Sequence, residues 1–329
     1  MLKVIHMTHS KTVVVLGDPS SKHLKLLERL PDTVHLIATA DEAHAIANAS
    51  DVDVIVCDMG RAGLLKAMLP HAAKLRWIHS VSAGVESLLF PEMLSHPATL
   101  TNGRGAYKRS LAEFVIAGAM YFAKNIPRLL ADQKAHKWEQ FYMEELYGTT
   151  MGIIGYGEIG RATAEKAKAF GMKVLALRRR PELSSSDPLV DRVYTHAELH
   201  EMLALCDYIV AAAPNAPGTL GLIGDAEFAV MKPNAVIMNV GRGPVIDESA
   251  MIKALSTNRI RGAALDVFDH EPLPKGHPLF DLPNVLISPH SGDRVTGWLE
   301  IAVDVFLKNF ERFEKGEELM NVVDKKAGY

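Results

Sequence analysis

Short apolar runs alternate with amphipathic stretches along most of the chain. Thr12–Leu16 reads as a buried strand ending in Gly17-Asp18-Pro19-Ser20, and Lys22–Leu30 reads as an amphipathic helix stopped by Pro31. Val34–Ala38, Val54–Cys57 and Trp77–Val81 are further strands, with helical patterns between them. Such βαβ alternation predicts a parallel sheet covered on both faces. Leu111–Ile126 differs: it is a longer, Ala-rich apolar helix ending at Pro127. A second series begins at Met151, with strands expected at Met151–Gly155, Lys173–Leu177, Tyr208–Ala212, Ala235–Val240, Ala263–Val267 and Val285–Ser288. The chain then turns helical again over roughly Val295–Lys315. Two α/β units therefore follow one another, and the last helix is best returned to the first of them.

The length of 329 residues fits two domains rather than one core. A net charge of -3 gives no electrostatic reason to expect nucleic acid or an anionic membrane as partner. No stretch approaches the roughly 18 apolar residues of a membrane span, and Met1–Ser10 has neither an apolar signal region nor transit-peptide character. The two cysteines, Cys57 and Cys206, have no CxxC or metal-like neighbourhood and read as buried free thiols. The expectation is a cytoplasmic protein without a metal site.

Gly155-Tyr156-Gly157-Glu158-Ile159-Gly160 follows an apolar strand and opens a helix at Arg161–Phe170. GxGxxG alone is a weak signal, but in this context each glycine has a task. The first allows the tight turn, the second lets backbone approach a pyrophosphate, and the third lets helix and strand pack closely. Free N–H groups at the helix start then face the phosphates, aided by the helix dipole. The next strand should end beside the adenosine ribose, where an NAD-selective site carries Asp or Glu. Here Arg178, Arg179 and Arg180 follow it, with no carboxylate until Glu182. Guanidinium binds a 2′-phosphate that a carboxylate would repel, so the sequence predicts NADPH, with NADH possible.

Three further segments sit after strands, where open α/β sheets bind ligands. Asn239-Val240-Gly241-Arg242-Gly243 presents an arginine between glycines. Ala264–Pro272 carries Asp266 and Glu271, and Ser288-Pro289-His290-Ser291-Gly292 carries a histidine. Histidine can give a proton to a developing alkoxide, a neighbouring carboxylate can hold its ring, and arginine can grip a substrate carboxylate and polarise the adjacent carbonyl.

The segments GYGEIG, NVGRGPVIDE, GAALDVFDHEPLP and SPHSG, in that order, with Ser82-Ala83-Gly84-Val85 and Ala112-Glu113-Phe114 upstream, resemble the D-isomer-specific 2-hydroxyacid dehydrogenase family. The resemblance spans roughly Trp77–Gly292; the first 70 residues match only in general pattern. It implies a Rossmann cofactor domain over residues 103–293 and a discontinuous flavodoxin-like substrate domain over residues 1–102 and 294–329. It implies His290 as general acid/base, Glu271 as its carboxylate partner, and Arg242 as the group binding the substrate carboxylate and carbonyl. Asp266 would contact the nicotinamide amide. Pro214, Val240, Gly241 and Gly292 would complete the cofactor surface begun by Gly155, Gly157, Glu158, Ile159 and Gly160. Ala83 and Gly84 would offer backbone N–H groups to the substrate carboxylate, in a cleft between the domains. The family is typically a homodimer, with the helical region after Asn102 in the interface.

Most of the family has Asp where this chain has Arg178, and NADPH-using glyoxylate and hydroxypyruvate reductases of the family make a similar change. The leading expectation is therefore an NADPH-dependent reductase of a small 2-oxoacid. The alternatives are an NAD-linked dehydrogenase of a larger D-2-hydroxyacid, with Arg178–Arg180 pointing into solvent, and a nicotinamide-sensing binding protein of the corepressor type.

Overall fold

The computed structural model describes residues 11–216 and 218–328, so the reading of Met1–Ser10 lies outside the described residues. The chain divides into two compact units, residues 1–106 with 296–329, and residues 107–295.

The first unit holds a five-stranded sheet built from β1 (Thr12–Leu16), β2 (His35–Thr39), β3 (Val54–Cys57), β4 (Trp77–Ser80) and β5 (Thr99–Asn102), in the order β2-β1-β3-β4-β5. All its strand pairs are parallel. This is the flavodoxin-like order, with the switch point between β1 and β3. Val14, Leu16, Ile55, Cys57 and Ile78 form the middle of its core. The segment Lys22–Arg29, expected as an amphipathic helix, is a helix of the 3-10 type. The spacing gives the reason. Leu24, Leu27 and Leu30 are buried and recur every third residue, which lines one face of a three-residue turn.

The helix Trp298–Lys315 belongs to this unit. Phe306, Phe310 and Phe313 recur at helical spacing and meet Trp77, whose ring stacks on Phe306 with centroids 5.1 Å apart. Full burial of one such ring contributes on the order of 2 kcal/mol, so this aromatic cluster is part of what holds the helix on the sheet built from the first strands.

The second unit holds seven parallel strands: β6 (Thr150–Ile154), β7 (Lys173–Leu177), β8 (Arg192–Tyr194), β9 (Tyr208–Ala211), β10 (Val236–Asn239), β11 (Gly262–Leu265) and β12 (Val285–Ile287). Their order is β12-β11-β10-β9-β6-β7-β8, the Rossmann order extended by one strand, with the switch point between β6 and β9. The helix Lys108–Ala123 packs on this sheet. A Cβ on its Gly118 would stand 2.9 Å from that of Ala264, so only glycine allows the approach. This helix ends before Pro127. The break comes from Asn125, whose φ of 48° is left-handed, and Pro127 opens the next helix, Ile126–Lys134. Proline is well suited to a first turn, where its missing N–H has no partner to lose. Among the described residues, no helix is long and apolar enough to cross a membrane.

Candidate active site

At the end of β6 the three glycines divide the work as their spacing implies. Gly155 takes a φ of +91°, and a Cβ there would stand 2.6 Å from the Ala213 nitrogen. A Cβ on Gly160 would stand 2.7 Å from the Gly155 oxygen, so this glycine sets how closely helix and strand meet. Over Gly157, by contrast, no atom lies within 4 Å of the Cβ position. The open side of the turn thus faces the start of the helix Glu158–Ala169, where unsatisfied N–H groups attract phosphate. The turn therefore fits a dinucleotide pyrophosphate. Ile159 is partly buried and Glu158 pairs with Lys108. Pro214 follows β9 and has its carbonyl bound by the Thr219 hydroxyl at 2.6 Å.

Arg178 leaves β7, its N–H bonded to the Tyr194 carbonyl at 3.0 Å. Its Nη1 donates to the buried Ser184 hydroxyl. Arg179 and Arg180 are exposed.

Strands β10, β11 and β12 run in register, Asn239 beside Leu265 and Leu265 beside Ile287. The three predicted segments therefore leave the sheet at one level. Asn239 is buried and braces its own turn, donating to the Arg242 carbonyl at 3.0 Å and accepting from the Gly241 N–H at 3.1 Å. Val240 is buried, and Gly241 presses on the Ala213 backbone. A Cβ on Gly243 would stand 1.9 Å from the Phe268 carbonyl carbon, so the Arg242 turn lies directly on the segment that leads to Glu271. Arg242 Nη1 donates to the Gly241 carbonyl at 2.8 Å.

His290 Nδ1 lies 2.6 Å from Glu271 Oε2, and Glu271 Oε1 accepts from the Phe268 N–H at 3.0 Å. The carboxylate is thus fixed on one side and orients the imidazole on the other, leaving Nε2 without a hydrogen bond among the described residues. The two side chains keep 42% and 34% of their surface exposed, so the pair is reachable. His290 has a φ of +50°, a left-handed conformation rare for a residue with a side chain.

Asp266 is what holds that conformation. Its buried Oδ1 accepts from Ser288 Oγ at 2.5 Å, from the Ser291 N–H at 2.9 Å and from the Gly292 N–H at 2.8 Å. The residue expected to touch the nicotinamide amide is thus also the anchor of the histidine loop. Ser110 donates to the Gly292 carbonyl, and Arg294 Nε donates to the His290 carbonyl at 3.2 Å. Burial pushes the Asp293 carboxyl up from the ordinary range, against the opposing charge of His290.

In the first unit, Ala83 and Gly84 lie in the loop after β4. Asn102 Nδ2 donates to the Ala83 carbonyl at 2.6 Å, and a Cβ on Gly103 would stand 2.3 Å from the Val81 oxygen. The sequence reading missed these supports, as it missed Ser288, Asn239 and Ser184. Asn239 and Ser288 stand inside the quoted motifs; Asn102 and Ser184 carry no motif signal.

Residues 116–292 match the family described as D-isomer specific 2-hydroxyacid dehydrogenase, NAD binding domain. The chain is 31% identical over 318 residues to the D-3-phosphoglycerate dehydrogenase of Methanocaldococcus jannaschii, covering 94% of this chain but 59% of that relative, less than two thirds of its length. It is 30% identical to the glyoxylate reductase of Thermococcus gammatolerans, covering 84% of each. Among solved structures it resembles the NADPH-dependent glyoxylate/hydroxypyruvate reductase of Sinorhizobium meliloti in complex with NADP and sulfate. There the TM-score is 0.82 and the identity 28%, covering 97% of this chain and 100% of the other.

Proposed function

This chain belongs to the D-isomer specific 2-hydroxyacid dehydrogenase family, and we propose that it uses NADPH to reduce a small 2-oxoacid, of the glyoxylate or hydroxypyruvate type, to the D-2-hydroxyacid. The observation that carries the reading is the His290–Glu271 contact of 2.6 Å in the same unit as the glycine turn. A bound nicotinamide supplies the hydride to the carbonyl carbon. The residues supply the rest. Arg242 binds the substrate carboxylate and draws electron density onto the carbonyl oxygen. His290, protonated and held at Nδ1 by Glu271, gives the Nε2 proton to the oxygen as negative charge develops there.

Three arginines after β7, with no carboxylate among them, support NADPH over NADH. The similarity to glyoxylate reductases supports a small substrate. A homodimer is supported by the surface of the second unit. The helix Ile126–Lys134 has no buried residue, and Trp138, Tyr142 and Tyr147 after it are 97%, 103% and 76% exposed. Two buried free thiols support a reducing, cytoplasmic setting.

The test is a spectrophotometric panel following NADPH and NADH oxidation with glyoxylate, hydroxypyruvate, pyruvate and branched or aromatic 2-oxoacids, and reduction of NAD and NADP with D-3-phosphoglycerate. Fastest turnover is expected with NADPH and glyoxylate or hydroxypyruvate. Turnover confined to NADH and a bulky oxoacid, or to D-3-phosphoglycerate, would overturn the substrate reading.

A further inference from the structure

The loop after β7 is tied down at two points, and together they define how Arg178 is presented. At the first, Arg178 Nη1 donates to Ser184 Oγ. Ser184 is 2% exposed, and its N–H is bonded to the Pro181 carbonyl at 3.0 Å, so the hydroxyl is a fixed acceptor. At the second, Asp187 folds back on the glycine turn. Its Oδ2 accepts from the Tyr156 hydroxyl at 3.2 Å and from Arg161 Nε at 2.8 Å, and its Oδ1 accepts from the Leu189 N–H at 3.1 Å. Tyr156 is the residue between the first two glycines, and Arg161 stands in the first turn of the following helix. The Asp187 N–H bonds the Ser184 carbonyl at 3.1 Å, which joins the two points.

The charges are distributed unequally. Arg161 is paired with a carboxylate and is neutralised by it. Arg178 is held by a neutral hydroxyl, and among the described residues no carboxylate pairs with it. A neutral partner fixes the rotamer of a cation without spending its charge. The entropy of ordering a long side chain is then lost on folding rather than on binding. A free arginine on a surface loop would bind a phosphate more weakly, because it would have to be ordered first.

We infer that Ser184 and Asp187 are positioning residues for cofactor selection: Ser184 aims the Arg178 guanidinium at a 2′-phosphate, and Asp187 locks the loop that carries Ser184 onto the glycine turn. This rests on the NADPH reading above and adds to it that selectivity resides in the loop's rigidity as well as in the arginine run. Glu182, the loop's nearest carboxylate in sequence, is exposed and lies on the far side of Pro181 from the arginines.

The test compares Ser184→Ala, Ser184→Thr, Asp187→Ala and Arg178→Ala in the 329-residue chain. KM is measured for NADPH and NADH, and binding of 2′,5′-ADP and 5′-ADP by calorimetry, with thermal melts to confirm folding. For Ser184→Ala and Asp187→Ala, KM for NADPH and Kd for 2′,5′-ADP should each rise about tenfold, with NADH and 5′-ADP within about twofold of wild type, as expected for one loosened charge-assisted contact. Ser184→Thr restores the hydroxyl and should restore selectivity. Equal weakening of both ligands, or no change in either, overturns the positioning role and leaves Arg178 standing if Arg178→Ala alone abolishes the preference. If Arg178→Ala leaves the preference intact, or wild type has none, the NADPH reading falls and this inference with it.

Discussion

Two central strands, β1 and β6, end in glycine turns beside the switch points of two parallel sheets, and only one of the turns is built to receive a phosphate. After β6, the space over Gly157 is empty of protein and a twelve-residue helix begins. After β1, the Cβ position of Gly17 is 3.1 Å from the Asp58 side chain, and the chain winds into a 3-10 segment. There His23 Nε2 meets Asp58 Oδ2 at 3.2 Å, and both side chains are about nine-tenths buried. The same topology creates a crevice in each unit. In the first, a carboxylate of the protein already occupies it, so an anion would be repelled. In the second, N–H groups and open space remain. Topology supplies the place, and residue type decides what can enter it.

The most severe loss is expected at His290. If chemistry goes with the open turn, His290→Ala should lower kcat by about 10²- to 10⁴-fold while calorimetry still detects dinucleotide binding. Near-normal turnover would detach this histidine from the reaction. Next in size is a side chain placed over each turn. Gly157→Ala adds a Cβ that has no protein atom within 4 Å and should leave the melting temperature unchanged, yet weaken dinucleotide binding by roughly tenfold or more, since it occupies the backbone's approach to the pyrophosphate. Gly17→Ala should leave that affinity untouched; a loss there would mean the two turns are not functionally distinct.

Asp58→Leu sharpens the other side. It removes the hydrogen-bond partner of the buried His23 and should destabilise the first unit by about 2 kcal/mol, read as a shift in the urea midpoint, again without changing dinucleotide affinity. Unchanged stability would remove the pair from the fold's support. The most gradual effect is a pH dependence. Burial lowers the His79 pKa from 6.5 to about 3. In the window between those values the unfolded chain binds a proton that the native chain does not. Stability should therefore be full above pH 6.5 and fall as pH drops, by on the order of 1 kcal/mol per pH unit from this residue. His79→Gln should flatten that slope in a denaturation series, and an unaltered slope would assign it to other groups.

Legibility differed by element. The runs Thr12–Leu16, Val54–Cys57 and Lys173–Leu177 coincide with β1, β3 and β7, because a strand buried on both faces reads as unbroken apolar sequence. β5 and β8 went unread. β5, Thr99–Asn102, is short and has Leu100 as its one apolar residue, and β8, Arg192–Tyr194, is a three-residue edge strand with too few positions to show a period. Pro127 was read as a stop when it is a start, since the two helices are separated only by Lys124 and the left-handed Asn125. At the candidate site, residue types and their order along the chain were legible, but their supports were not. Nothing in the spacing tells that Asp266 holds Ser288, Ser291 and Gly292, or that Asn102 reaches the Ala83 carbonyl.

Local residue type and period were enough for the parallel α/β class, the glycine turn and the absence of a carboxylate among Arg178, Arg179 and Arg180. Tertiary structure alone decided that Glu271 and His290, nineteen residues apart, share a hydrogen bond, and that Arg178 is aimed by Ser184 while Arg161 is neutralised by Asp187. The reason is the register of the sheet. Parallel strands deliver their carboxyl ends to one level whatever the length of chain between them, and contacts at that level depend on which strands are neighbours.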